Sequence, residues 1–152
     1  MEIKAKEFLM QISTQEKQYD ALYRDAASRF EMPDCTMWVL YFLISSDEPL
    51  TQQDLIEKMM FPKQTINSAV MGLVKKGFVE LQMIPGTRNR KNVLLTETGA
   101  ATAKATVERM REAEERAAAS LGTEKMEQYA GLYREFFLAL QREFRKEGLA
   151  DE

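Results

Sequence analysis

A chain of 152 residues, 45% hydrophobic and 30% charged, is long enough for one domain with a buried core, and nothing in that balance marks disorder. One cysteine and no histidine exclude a disulfide framework and remove the commonest metal ligand and general base, so no metal, no cofactor and no enzyme activity is expected. No apolar run of about 18 residues occurs, and the opening MEIKAKEF lacks the apolar segment of a secretion signal, so a cytoplasmic protein that spans no membrane is expected.

In chain order, residues 2–30 carry Phe8, Ile12, Tyr19, Leu22, Tyr23, Ala26 and Phe30 at spacings of three, four and seven, the pattern of a long amphipathic helix. Met32-Pro33 interrupts it. Asp34 is placed to cap a second helix in which Trp38, Val39, Leu40, Tyr41, Phe42, Leu43 and Ile44 are apolar almost all round, as in a buried helix. After Ser45-Ser46-Asp47-Glu48-Pro49, the stretch PLTQQDLIEKMM opens with Thr51 and Asp54 at capping-box spacing. Then comes PKQTINSAVMGLVKKG, a helix with Ile66, Ala69, Val70 and Leu73 on one side and Gln64, Ser68, Met71 and Lys75 on the other. Pro62 fits its first position and Gly77 the left-handed position just past its end. FVELQM and VLL flank IPGTRNRKN, a hairpin with a long basic tip. Thr96 caps one long Ala-, Glu- and Arg-rich helix running to Leu121. Gly122 stops it and Thr123 caps a last helix, which carries Met126, Tyr129, Tyr133, Phe136, Phe137, Leu140 and Phe144 and ends at Gly148.

Helix, turn, helix and hairpin is the order of a winged helix-turn-helix. Charge follows it: from Pro62 to Lys91 six basic residues face one acidic residue, a local charge of +5 in a chain whose net charge is −3, which leaves −8 for the remainder. A basic edge on an acidic body turns that edge towards phosphates. The first and last helices hold more aromatic surface than a small winged domain covers, so a second copy of the chain is the expected partner.

The recognition helix supplies candidate base readers. The amides of Gln64 and Asn67 suit adenine, the hydroxyls of Thr65 and Ser68 suit either base type, and Lys63 or Lys75 reaches phosphate or guanine. Phe61 is a poor cap, so the first N–H groups of this helix are left to attract an anion. In the wing, Arg88, Asn89, Arg90 and Lys91 can follow the phosphate backbone or enter a minor groove. Cys35 opens the second helix beside Asp34; the helix start lowers its pKa and the carboxylate raises it, and ordinary packing is the expectation.

The sequence resembles the MarR family of bacterial transcriptional regulators. The carriers are Leu50-Thr51, Leu73-Val74-Lys75-Lys76-Gly77, and Leu95-Thr96-Glu97-Thr98-Gly99, in the family's order and at suitable spacing. The family's wing usually has an Asp two residues before an Arg. Here Gly86 or Thr87 stands in the Asp position, and the Arg position falls on Asn89, so Arg88 and Arg90 both remain open. The resemblance implies a mainly α (α+β) fold: one MarR-like domain over 1–152, with a winged helix-turn-helix lobe over 34–99 and dimerisation helices over 1–31 and 100–152. It implies a homodimer on double-stranded DNA, a repressor of a pseudo-palindromic operator relieved by a small aromatic or phenolic ligand. Tyr19, Tyr23, Phe30, Trp38, Tyr41 and Phe42 are then candidates for the ligand pocket, although an aromatic stripe is more often plain core. Two rivals stand beside this reading: a winged-helix scaffold for protein interactions, suggested by the missing wing Asp, and an enzyme using carboxylates of the helical body.

Overall fold

A computed structural model describes residues 2–151. The elements are α1 (Glu2–Arg29), α2 (Asp34–Ser45), β1 (Leu50–Thr51), α3 (Gln52–Met59), α4 (Lys63–Lys75), β2 (Val79–Met83), β3 (Lys91–Leu95), α5 (Glu97–Ala105), α6 (Val107–Leu121) and α7 (Thr123–Lys146). The chain forms two compact units, one up to Arg111 and one from Glu112, with the boundary inside α6. The fold class is mainly α with a small antiparallel sheet of order β1-β3-β2.

The core of the first unit is built where the apolar faces of α2, α3, α4 and β3 meet. Met37, Val39, Leu40, Leu55, Ile66, Val70, Leu73, Val93 and Val107 are fully buried there. Each such side chain contributes about 2 kcal/mol by leaving water. In α4 the predicted inward set Ile66, Ala69, Val70 and Leu73 is the buried set. α2 behaves as the buried helix its composition predicts, with Trp38, Tyr41 and Phe42 half-buried in an aromatic cluster that includes Tyr23.

Two short motifs fix how α4 joins the hairpin. Gly77 takes φ +73°, the Phe78 N–H reaches the Leu73 carbonyl at 2.9 Å, and the Gly77 N–H reaches Val74 at 2.9 Å, which closes α4 with a Schellman turn. Nineteen residues on, the Thr96 hydroxyl accepts from the Gly99 N–H and donates to the Gly77 carbonyl. Gly99 must be glycine: an added Cβ would lie 1.7 Å from the Phe78 oxygen. The Leu-x-x-x-Gly and Leu-Thr-x-x-Gly pairs are thus two halves of one joint.

Four local expectations shift. Asp34 is the first residue of α2, after Pro33, and its carboxylate accepts the Cys35 N–H at 2.9 Å instead of capping from outside. Pro62 precedes α4 as its N-cap, and its carbonyl accepts from Thr65 and Ile66. Gly122 holds the N-cap position of α7, so Thr123 lies inside the helix. The single helix expected from Thr96 to Leu121 is broken at Thr106, whose φ −126° and ψ −92° leave the helical region. Its hydroxyl donates to the Thr102 carbonyl at 2.7 Å, as that of Thr102 does to Thr98 at 3.0 Å, and such back-bonding bends helices.

In the second unit α7 buries none of its residues, and Tyr129, Leu132, Tyr133 and Phe137 are each more than half exposed. In the first unit Phe8, Met10, Tyr19 and Leu22 of α1 are likewise more than half exposed.

Candidate nucleic-acid interface

The outward side of α4 starts from its helical phase. With the buried set turned inward, Lys63, Gln64, Thr65, Ser68, Met71 and Lys75 are exposed. Asn67 is half-buried on the flank opposite Thr65. Five of the six expected side chains therefore share open surface, and Asn67 lies at its edge. Met71 sits among them, an apolar side chain 51% exposed on a polar face.

The helix before it is held by its capping box. The Asp54 N–H reaches the Thr51 hydroxyl at 3.0 Å, and the Thr51 N–H returns to the Asp54 carboxylate at 2.9 Å. That Thr51 backbone hydrogen bond is the main cause that lowers the Asp54 pKa, against the effect of burial; Arg90 and Lys58 add attraction. The hydrogen bonds of Asp54 thus stay within the start of α3, and the wing acts on it only through the charge of Arg90.

The wing tip is braced from within. Ile84-Pro85-Gly86-Thr87 forms a turn with Gly86 at φ +79° and the Thr87 N–H on Ile84 at 3.2 Å. The Ile84 N–H bonds to the Arg90 carbonyl at 2.9 Å, and the Thr87 hydroxyl lies on the Ile84 carbonyl at 2.7 Å and near that of Arg90 at 3.4 Å. Thr87, one of two residues in the position expected for Asp, therefore ties the turn together through carbonyls. Arg88 and Asn89 lie beyond the last cross-strand bond, whereas Arg90 stands at the base; all three are exposed, as is Lys91.

Two concavities lie in the same unit. One, of about 520 Å³, is lined by Asp20, Tyr23 and Arg24 of α1, Asp34, Trp38 and Phe42 of α2, and Lys58, Met59 and Phe61 at the α3–α4 corner. Of the six aromatic candidates, Tyr23, Trp38 and Phe42 line it. Phe30 and Tyr41 pack on the core outside the lining, and Tyr19 is exposed on α1. Lys58, Met59 and Phe61 were not legible as lining, because only the fold of the corner brings them to α1 and α2. The second, of about 320 Å³, lies between the start of α2 and the Thr65 side of α4. Cys35 is buried at its wall with its thiol 3.8 Å from the Thr65 carbonyl; burial pushes the thiol pKa up, and Asp34 raises it further.

A buried two-helix corner, an outward polar helix and a hairpin wing define a winged helix-turn-helix protein. Residues 32–88 match the family model described as MarR family. No curated protein sequence matches the chain. Among solved structures, NMB1585, a MarR family regulator from Neisseria meningitidis, is similar at TM-score 0.78 and 22% identity over 91% of this chain and 97% of that one. The Staphylococcus aureus MepR–DNA complex aligns at TM-score 0.63 and 20% identity, covering 88% and 96%. Staphylococcus aureus MarR in complex with salicylate and kanamycin aligns at 0.68 and 13%, covering 93% and 95%. At these identities the likeness is one of fold. Among the described residues, no helix is long and apolar enough to cross a membrane.

Proposed function

We propose that the chain is a DNA-binding transcriptional regulator, acting as a homodimeric repressor of a pseudo-palindromic operator and released by a small aromatic or phenolic ligand. The observation that carries it is the exposed polar face of α4 on the same lobe as the basic wing tip. Gln64 and Ser68 read base edges, Asn67 reaches from the flank, and Met71 suits the thymine methyl group. Lys63, Lys75, Arg90 and Lys91 neutralise phosphates, and Arg88 at the tip enters the minor groove. That MepR forms a DNA complex on this fold supports the reading.

The exposed aromatic faces of α1 and α7 support a homodimer. The 520 Å³ cavity supports a ligand, because its aromatic wall is accompanied by two cations, Arg24 and Lys58, and two carboxylates, Asp20 and Asp34, which suit a small aromatic molecule with polar substituents such as a phenol. Its wall includes Lys58, Met59 and Phe61, the corner that leads into α4, so filling it biases the recognition helix. Salicylate, present in the MarR structure, is a ligand of this chemistry. A gel shift with DNA from upstream of the chain's own coding region tests the function: a discrete complex that an aromatic acid dissolves is expected, and no complex at any salt would overturn it.

A further inference from the structure

The groove between α2 and α4 carries a more specific assignment, which rests on the DNA-binding reading. A helix about 10–12 Å across fills a major groove about 12 Å wide, so a sugar–phosphate backbone must run along each of its flanks. The flank of α4 towards α2 is the stripe Thr65, Ser68, Gly72 and Lys76, spaced three and four apart, and with Thr36 of α2 it walls the groove. Pro33, Cys35, Ala69 and Leu73 make most of the groove's lining apolar, and around them stand three hydroxyls, one cation and, among the described residues, no carboxylate; Asp34, one residue from Cys35, lines the other cavity. The apolar lining suits the deoxyribose face of a strand, and the hydroxyls and Lys76 suit its phosphate. In the middle of the stripe stands Gly72, exposed, in the interior of a helix where glycine is the least favourable residue other than proline. A Cβ on Gly72 would meet nothing within 4 Å, so packing within the chain gives no reason for glycine there.

We propose that this groove seats one strand's sugar–phosphate backbone, that Gly72 is a positioning residue whose missing side chain lets the strand approach α4, and that Lys76 holds its phosphate. Thr36 and Thr65 supply the hydroxyl donors around it, and Ser68 stands between this strand and the base edges. This strand contact fixes how deep α4 sits in the groove, and so acts on all DNA sequences alike.

The test uses the full chain, its upstream duplex and a random duplex of equal length, with affinity measured by fluorescence anisotropy at several salt concentrations and melting temperature in parallel. Gly72→Ala should raise the melting temperature by a few degrees, as expected for alanine in a helix. The same variant should bind both duplexes roughly tenfold more weakly, the loss of about one contact. Lys76→Gln should make the salt dependence shallower by about one phosphate equivalent. Gly131→Ala is the control: its Cβ also meets open space, on the polar side of α7, so it should stabilise without changing affinity. Unchanged affinity in Gly72→Ala, or an unchanged salt slope in Lys76→Gln, overturns the assignment. If the unsubstituted chain binds neither duplex, the DNA-binding reading itself fails.

Discussion

At the scale of single residues, a few backbone atoms decide whether the wing is attached in the right place. Gly99 is the sharpest case, because the Phe78 carbonyl occupies the space that any side chain would need. Gly99→Ala should destabilise the fold by about 3 kcal/mol, as for an overpacked site that can only partly relax. Chemical denaturation measures it, and a loss under about 0.5 kcal/mol, the range of ordinary surface changes, would show that the joint is loose. Asp54 makes a claim about pH. Its pKa is lowered in the folded chain, chiefly by the Thr51 N–H, so its stabilisation is complete above the unfolded value of about 4 and is lost as pH falls through the folded value. The stabilities of the unsubstituted chain and Asp54→Asn should therefore differ at neutral pH, begin to approach each other as pH falls below about 4, and meet only below the lowered folded value. A constant difference across the acid range would assign the effect to something other than the carboxylate charge. These residues were legible from the sequence because capping boxes and left-handed glycines act over three or four positions. The close approach that forbids a side chain at Gly99 was not, since it depends on a carbonyl 21 residues away.

At the scale of elements, the periodicity of α4 transferred directly to the structure because its apolar stripe has one core to meet. The break at Thr106 was hidden by good helix formers on both sides; Thr98, Thr102 and Thr106, each four apart, are the signal that could have found it. The cavity was half legible. Tyr23, Trp38 and Phe42 announce it by aromaticity, but Lys58, Met59 and Phe61 reach it only through the tertiary placement of the α3–α4 corner. In the wing, composition left two arginines equal, and hydrogen bonding separates them: Arg88 stands beyond the Ile84–Arg90 pair, while Arg90 is at its base and attracts Asp54. Arg88→Ala should weaken DNA binding without changing stability. Arg90→Ala should also reduce stability, by at most about 0.5 kcal/mol, because it removes a charge that attracts Asp54. Binding isotherms and thermal melts of both variants check this, and equal behaviour of the two in both assays would contradict the division of roles.

At the scale of the molecule, the exposed aromatic residues of α1 and α7 ask for a partner, and a two-fold pair of winged lobes would present two recognition helices to one face of DNA. Light scattering should give twice the chain mass at micromolar concentration; a stable monomer there would remove the homodimer. Two such helices fit half-sites about 10 base pairs apart, or a multiple of that. What separates a specific regulator from a winged-helix scaffold is whether the outward face of α4 reads bases. The decisive measurement is a competition titration at one fixed salt concentration, with the upstream duplex against a random duplex of equal length, for the unsubstituted chain and for Gln64→Ala. The account predicts a preference of at least about 10³ for the upstream duplex. It also predicts that Gln64→Ala loses roughly 1–3 kcal/mol on that duplex while binding the random one as before. Equal affinity of the unsubstituted chain for both duplexes, or equal losses on both in Gln64→Ala, would contradict it.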